Sequence, residues 1–177
     1  MKILFIGNSH TYFNDMPAIF KRLCIENGKD VHVTMLTKGG MGLDYHAKEE
    51  QTRFNILYGE YDVVVLQHTA HPMGDLNEMK KGAEKIAAWC KDAGSRVVLY
   101  QTWTEKGDEE NQSHMSKVYD DLGDLLGVSV APVGNVWQKT RMENPETELY
   151  FKDGAHASPD GSALAARVIF ETVFNRS

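Results

Sequence analysis

The chain has 177 residues, of which 42% are hydrophobic and 25% charged, the balance of an ordinary globular protein with enough apolar side chains for a real core, and not of a linker or a fibre. A formal net charge of -6, with no Lys/Arg cluster, argues against nucleic acid or an anionic membrane as partner and leaves small neutral molecules open. The apolar run after Met1-Lys2 has only four residues, shorter than the core of a secretory leader, and no run approaches a membrane span. As written the chain is expected in the cytoplasm; one from which a signal peptide had been trimmed would read the same and be secreted or periplasmic.

In chain order, Lys2 to Ile6 reads as a short buried strand that ends at the turn of Gly7, and Asn8-Ser9-His10-Thr11 behind it is polar and hydroxyl-rich. Asn14 or Asp15 then caps an amphipathic helix. Pro17 lies in its first turn, Met16, Ile19, Phe20, Leu23 and Cys24 form one stripe, and Gly28 stops it. Val31 to Leu36 is a second strand, followed by Thr37-Lys38-Gly39-Gly40-Met41-Gly42, whose glycines suit tight turning. A helix is expected from Asp44 to Leu57.

Asp62 to Leu66 contains a continuous Val-Val-Val-Leu run, which points to a central strand covered on both faces. Gln67-His68-Thr69-Ala70-His71-Pro72 follows it. Asp75 with Glu78 reads as a capping box for a helix carrying Met79, Ala83, Ile86, Ala87 and Cys90 and closed by Gly94. Arg96 to Tyr100 is the fourth strand, and the acidic stretch Thr102 to Gln112 is expected to be a mobile loop. Met115, Val118, Tyr119, Leu122 and Leu126 mark a helix ending at Gly127. Val128 to Ala131 is the fifth strand, and Pro132 to Met142 a short helix with Val133, Val136 and Trp137 inward. Ser158 as N-cap, Pro159 and Asp160 open the last helix, along which Leu164, Val168, Ile169 and Val173 run nearly to the C-terminus.

Five strands alternating with helices predict an α/β fold: a three-layer α/β/α sandwich around a five-stranded parallel sheet, in a single domain over residues 1–177. Ligands in such sheets bind beyond the carboxyl ends of the strands, at a topological switch point. Ser9 follows strand one, Gly39 to Gly42 strand two, Gln67 strand three and Gln101 to Trp103 strand four, so these polar residues converge above one edge of the sheet.

A serine hydroxyl needs a base to take its proton, and the resulting oxyanion needs fixed donors. Ser9 supplies the hydroxyl, His156 the base, and Asp153, three residues earlier, the carboxylate that fixes the imidazole tautomer. The donors are the Ser9 N–H, a glycine N–H of the second-strand loop and the Gln67 amide. Asp-x-x-His before a helix also arises as plain capping, and it is the pairing with Gly-Asn-Ser that argues for chemistry. His10 and His46 are candidates to line the cleft, and Trp103 to stack on a sugar face, although tryptophan at such a place also serves packing. His68 and His71 have no carboxylate or thiol cluster beside them and Pro72 argues for a loop, so neither metal nor cofactor is expected. Cys24 and Cys90 fall on apolar helix faces, as buried reduced thiols do.

These residues resemble the SGNH (GDSL-like) hydrolases, esterases and lipases on a flavodoxin-like sheet, over nearly the whole chain. Gly7-Asn8-Ser9 is similar to the nucleophile block, Gly39 to Gly42 to the glycine block, and Asp153-Gly154-Ala155-His156 to the Asp-x-x-His block. The family spacing Asn-x-Gly-x-x-Gly aligns Thr37, Gly39 and Gly42, which implies Gly42 as an oxyanion donor with Gly40 as the fallback. The departure follows strand three, where most members carry Gly-x-Asn-Asp and this chain has Gln67-His68-Thr69-Ala70. A glutamine at that strand end is similar to carbohydrate-esterase branches. The resemblance thus implies a cofactor-independent serine esterase that forms an acyl-enzyme on Ser9, with a small acyl ester or an acetylated carbohydrate as substrate. Two other readings compete: a catalytically silent carbohydrate-binding domain that keeps the cleft, and a flavodoxin-like flavin or phosphate module, for which the loop after strand one is short.

Overall fold

The alternation of apolar residues along the strands dictates the layers. In the computed structural model, which describes residues 1–174, one parallel sheet is built from β1 Lys2–Gly7, β2 His32–Thr37, β3 Val63–Leu66, β4 Arg96–Gln101 and β5 Ser129–Pro132 in the order β2-β1-β3-β4-β5. The last three positions of the 1–177 span lie outside the described residues. Between the strands run helices α1 Ser9–Tyr12, α2 Met16–Glu26, α3 Leu43–His46, α4 Glu50–Tyr58, α5 Leu76–Asp92, α6 Gln112–Leu126, α7 Val133–Glu143 and α8 Pro159–Phe174.

Successive strand residues point to opposite faces, so each strand feeds two cores. Ile3, Phe5, Val63, Val65, Val98 and Tyr100 pack with Phe20, Trp137, Leu164, Val168 and Ile169 from α2, α7 and α8. Leu4, Ile6, Val64, Leu66, Val97 and Leu99 pack on the other side with Leu43, Ile56, Ile86 and Tyr119 from α3 to α6. The Val-Val-Val-Leu strand is central and buried at every residue, as its unbroken apolar run demands. No helix among the described residues is long and apolar enough to cross a membrane.

From β1 the chain first steps outward to β2 and then crosses to β3 on the other side of β1, so the switch point lies between β1 and β3, above Gly7 and Leu66. Gly7 has to be a glycine there: a Cβ would sit 2.4 Å from Gln67 Oε1 and 2.5 Å from Thr11 Oγ1.

Several local expectations are corrected. The helix expected over Asp44 to Leu57 is two helices, α3 and α4, because the backbone is extended at Glu49 (φ -83°, ψ 122°) between them while α3 packs against α5. Asp15 holds the N-cap position of α2 in a left-handed conformation with no side-chain cap bond, and the Asn14 amide is used elsewhere. Asp75 caps α5 through the Asn77 and Glu78 N–H groups, but Glu78 pairs with Lys81 and does not reach back, so only half a capping box forms. Thr102 to Gln112 is a tied segment. The Gln112 side chain accepts from Thr104 N–H at 2.9 Å, Lys106 N–H donates to Gly154 O at 2.8 Å, and Arg141 pairs with Glu109.

The seat of α3 depends on Gly82 of α5, where a Cβ would come within 2.6 Å of Asp44 N and Leu43 C. Gly82→Ala is therefore expected to lower the unfolding free energy by about 1–3 kcal/mol, the usual cost of overpacking a fitted contact. Urea denaturation checks this, and a midpoint equal to that of the parent would contradict the close seating of the two helices.

Candidate active site

Ser9 stands at the first position of α1, immediately after β1 and its closing glycine. Asn8 before it is extended (φ -134°, ψ -150°), and its Oδ1 accepts from His10 N–H at 3.0 Å, as an N-cap does. The other end of the same amide donates to Met41 O at 3.0 Å, tying the serine turn to the glycine loop.

At the other end of the chain, Asp153 folds the loop around its own carboxylate. Oδ1 accepts from the Ala155 and His156 N–H groups at 3.0 Å each, and Gly154 takes the left-handed turn (φ 73°) that brings them round. Oδ2 is left to accept from His156 Nδ1 at 2.7 Å. With Nδ1 carrying the proton, Nε2 presents its lone pair to Ser9 Oγ at 2.8 Å. Ser158 keeps this loop on the body of the protein: its N–H donates to Leu149 O, its hydroxyl to Glu148 O at 2.7 Å, and the same hydroxyl oxygen accepts from Gly161 N–H to cap α8. Burial alone would raise the Asp153 carboxyl, but the Ala155 and His156 N–H groups and the His156 ring outweigh it and bring it down to about 2. Asp153 therefore stays ionised beside the imidazole.

Of the three donors expected for an oxyanion, Gln67 is turned inward. Its Oε1 accepts from Asn8 N–H at 2.8 Å and from the Thr11 hydroxyl at 2.9 Å, its Nε2 donates to the His68 carbonyl, and the residue is completely buried. It is the floor under the serine turn, and its amide does not reach the cleft, because satisfying the first turn of α1 takes up its acceptor. Gly42 lies against the His68 ring, where a Cβ would come within 2.4 Å of Cε1, while Gly40 is left-handed (φ 72°) with open space around it.

The expected cleft-lining residues are also corrected. His46 is buried and donates from Nε2 to Gly7 O at 2.9 Å. Trp103 is fully buried, stacked on Trp137 at 3.9 Å and 6°, and its Nε1–H donates to Ala155 O at 2.9 Å, so it pins the loop of His156 and offers no face to a sugar. His10 is nearly buried among His71, Trp103 and His156. His10 Nε2 is buried with no hydrogen-bond partner among the described residues, whereas His46 and Trp103 each spend a polar ring edge on holding backbone.

His68 also holds backbone and was not singled out for this role in the sequence. Leu43 N–H donates to its Nδ1 at 2.9 Å and its Nε2–H donates to Met73 O at 2.8 Å, which fixes a neutral tautomer and joins the glycine loop to the loop after β3. Among the described residues no group of three or more His, Cys, Asp or Glu side chains could hold a metal ion. Burial pushes the Cys24 thiol up to about 11 and that of Cys90 up to about 12, which makes both poor nucleophiles. The tie from Asn8 to the glycine loop is a further contact not expected from the sequence, although an Asn-Ser pair right after a strand is a signal for it.

No protein-family model and no curated protein sequence matches the chain. Solved structures do. A DUF4886 family protein from Bacteroides uniformis superposes with a TM-score of 0.84 at 16% identity, over 99% of this chain and 83% of that one. An acetyl xylan esterase does so with a TM-score of 0.79 at 17% identity, over 98% and 100% of the two chains. A carbohydrate esterase family 3 protein from Talaromyces cellulolyticus gives 0.75 at 10% identity, over 99% and 97%. The fold is that of the SGNH, or GDSL-like, hydrolases.

Two measurements test the inward-facing groups. Gln67→Ala leaves the Asn8 N–H and the Thr11 hydroxyl without their buried acceptor, so unfolding free energy is expected to fall by about 1–3 kcal/mol; a stability equal to the parent's would contradict the floor role. His10 is pushed down from the ordinary 6.5 to about 3, first by burial and then by the His71 and His156 rings. Burial likewise lowers His46, His68 and His71. The unfolded chain then binds more protons than the folded one below pH 6.5, so stability falls as pH drops from 6.5 towards 3. His10→Phe, which keeps the ring and removes the titration, is expected to lessen the loss of thermal midpoint between neutral and mildly acidic buffer, and an unaltered loss would contradict a buried neutral His10.

Proposed function

We propose that this protein is a serine ester hydrolase that works through an acyl-enzyme on Ser9. One observation carries this function: Ser9 Oγ, His156 Nε2, His156 Nδ1 and Asp153 Oδ2 lie in one hydrogen-bonded line, with contacts of 2.8 and 2.7 Å, at the switch point of the sheet.

As Ser9 Oγ attacks an ester carbonyl, its proton passes to His156 Nε2, and the imidazolium is held against the ionised Asp153. The carbonyl oxygen becomes an oxyanion, which meets the Ser9 N–H and a glycine N–H of the loop after β2, that of Gly42 or, failing it, Gly40. Nε2 then returns the proton to the leaving alcohol oxygen as the C–O bond breaks. Water repeats the sequence on the acyl-serine: its proton goes to Nε2, its oxygen to the acyl carbon, and the proton comes back to Ser9 Oγ as the acid departs. With Gln67 facing inward, two backbone donors carry the oxyanion.

The substrate we assign is a small acyl ester, with an acetylated carbohydrate as the favoured class. Support for the sugar comes from two of the structural neighbours, an acetyl xylan esterase and a carbohydrate esterase family 3 protein. The open setting of the dyad fits a bulky alcohol: the His156 and Asp153 side chains are 26% and 41% exposed.

Hydrolysis of p-nitrophenyl acetate and of acetylated xylo-oligosaccharides tests both levels. Ser9→Ala and His156→Ala are each expected to lower kcat by roughly 10⁴-fold or more with thermal midpoints near the parent's. Parental turnover in Ser9→Ala would refute the nucleophile. A folded parent inert to every ester would favour the silent carbohydrate-binding alternative, and release of acetate from the nitrophenyl ester alone would remove the sugar assignment.

A further inference from the structure

The hydrogen bonds of His156 use only the edges of its ring; both faces are covered as well. Phe13 lies nearly parallel to it, with ring centroids 4.5 Å apart and planes at 22°. His10 lies nearly parallel at 5.1 Å and 26°. An imidazole face is too small to hold two stacked rings, so Phe13 and His10 take opposite faces.

Each cover is itself held in place. His10 follows Ser9 directly, its backbone carbonyl accepts from the Tyr100 hydroxyl at 3.2 Å, and its ring packs edge-on to His71 at 4.9 Å. Phe13 packs edge-on to Phe151 at 5.2 Å and 68°. The chain beyond Phe13 is unusual, since Asn14 (φ 54°, ψ 21°) and Asp15 (φ 54°, ψ 47°) are both left-handed, a conformation that side-chain-bearing residues adopt at a cost. What offsets that cost crosses to the His156 loop. Asn14 Nδ2 donates to Ala157 O and to Ser162 Oγ, each at 2.9 Å, and the Ser162 hydroxyl donates to Phe13 O at 3.3 Å. The left-handed pair thus bends the chain so that one amide side chain joins the segment after Ser9 to the residue after His156.

We propose that Phe13 and His10 are positioning residues that clamp the imidazole of His156 from its two faces, with Asn14 as the pin that holds Phe13 in the clamp. The clamp is a matter of geometry, and its catalytic meaning rests on the hydrolase function proposed above. A base on a partly exposed loop, held only at its ring edges, is free to swing about its side-chain torsions, and misplacement by about 1 Å is enough to slow an enzyme some hundredfold. The two covers also suit the charge that forms. A phenyl face attracts a cation, and His10, buried and neutral with its titration pushed down to about 3, adds no opposing charge.

The test uses the full chain with Phe13→Leu, Phe13→Tyr and Asn14→Gly. Leucine keeps apolar bulk without a flat face, tyrosine keeps the ring, and glycine accepts the left-handed backbone but removes the pin. With p-nitrophenyl acetate, Phe13→Leu and Asn14→Gly are expected to lower kcat by about 10- to 100-fold and to leave KM within about twofold, while Phe13→Tyr stays within about threefold of the parent. Three-bond NMR couplings of the His156 side chain give a second readout that needs no turnover: one fixed χ1 rotamer in the parent and Phe13→Tyr, and averaged rotamers in Phe13→Leu and Asn14→Gly. A single rotamer with parental kcat in Phe13→Leu would overturn the clamp, and a Phe13→Tyr protein as impaired as Phe13→Leu would remove the role of the flat ring. If the parent proves inert to esters, the hydrolase function falls while the couplings still decide whether the clamp exists.

Discussion

The contact between Ser9 Oγ and His156 Nε2 joins residues 147 positions apart in the chain, across 2.8 Å. Neither residue can find the other through local structure. Ser9 is placed by where β1 ends, His156 by where the loop before α8 folds, and the two meet only because β1 lies inside the sheet with α8 packed over it. A single hydrogen bond contributes about 1 kcal/mol net, far too little to hold two such distant segments in register. The register has to be imposed from outside the pair.

Independent sets of bonds do so. From below, Gln67 Oε1 takes the Asn8 N–H and the Thr11 hydroxyl, so the serine turn is fixed to the end of the most buried strand. From the side, Asn8 reaches Met41 O and His68 takes the Leu43 N–H, which locks the glycine loop to the same floor. From above, Trp103 Nε1–H holds Ala155 O and Asn14 holds Ala157 O, one on each side of His156 in the sequence. Amides, an indole and imidazoles that would be costly to bury unpaired are thereby turned into rigid ties.

The sheet, the layers and the order of the helices were legible because they follow from period: unbroken apolar strands, helical stripes and glycine stops. Ser9, Asp153 and His156 could be singled out because Ser9 directly follows an apolar strand and its glycine, and Asp153 and His156 stand three residues apart just before a helix cap. What could not be read was which way a polar side chain points at those boundaries. Gln67, His46 and Trp103 lie beside the cleft in sequence, as a ligand-binding residue would, and only the crowding of unsatisfied backbone groups at the strand ends turns them inward. The acidic segment from Thr102 to Gln112 misled for a similar reason: its composition is that of a loop, but Gln112 folds back on Thr102 and Thr104. Asn14 before a helix reads as a cap, whereas its backbone is left-handed and its amide crosses to the His156 loop.

The proposed function requires a nucleophilic hydroxyl at Ser9. The most direct measurement is mass spectrometry of the intact and digested protein after reaction with a fluorophosphonate, run in parallel on the parent, Ser9→Ala and His156→Ala. One phosphonyl group per parent chain is expected, carried on the peptide that contains Ser9, with none on Ser9→Ala and labelling slowed by orders of magnitude on His156→Ala. An adduct on any other residue, or equal labelling of parent and His156→Ala, would contradict the proposed function.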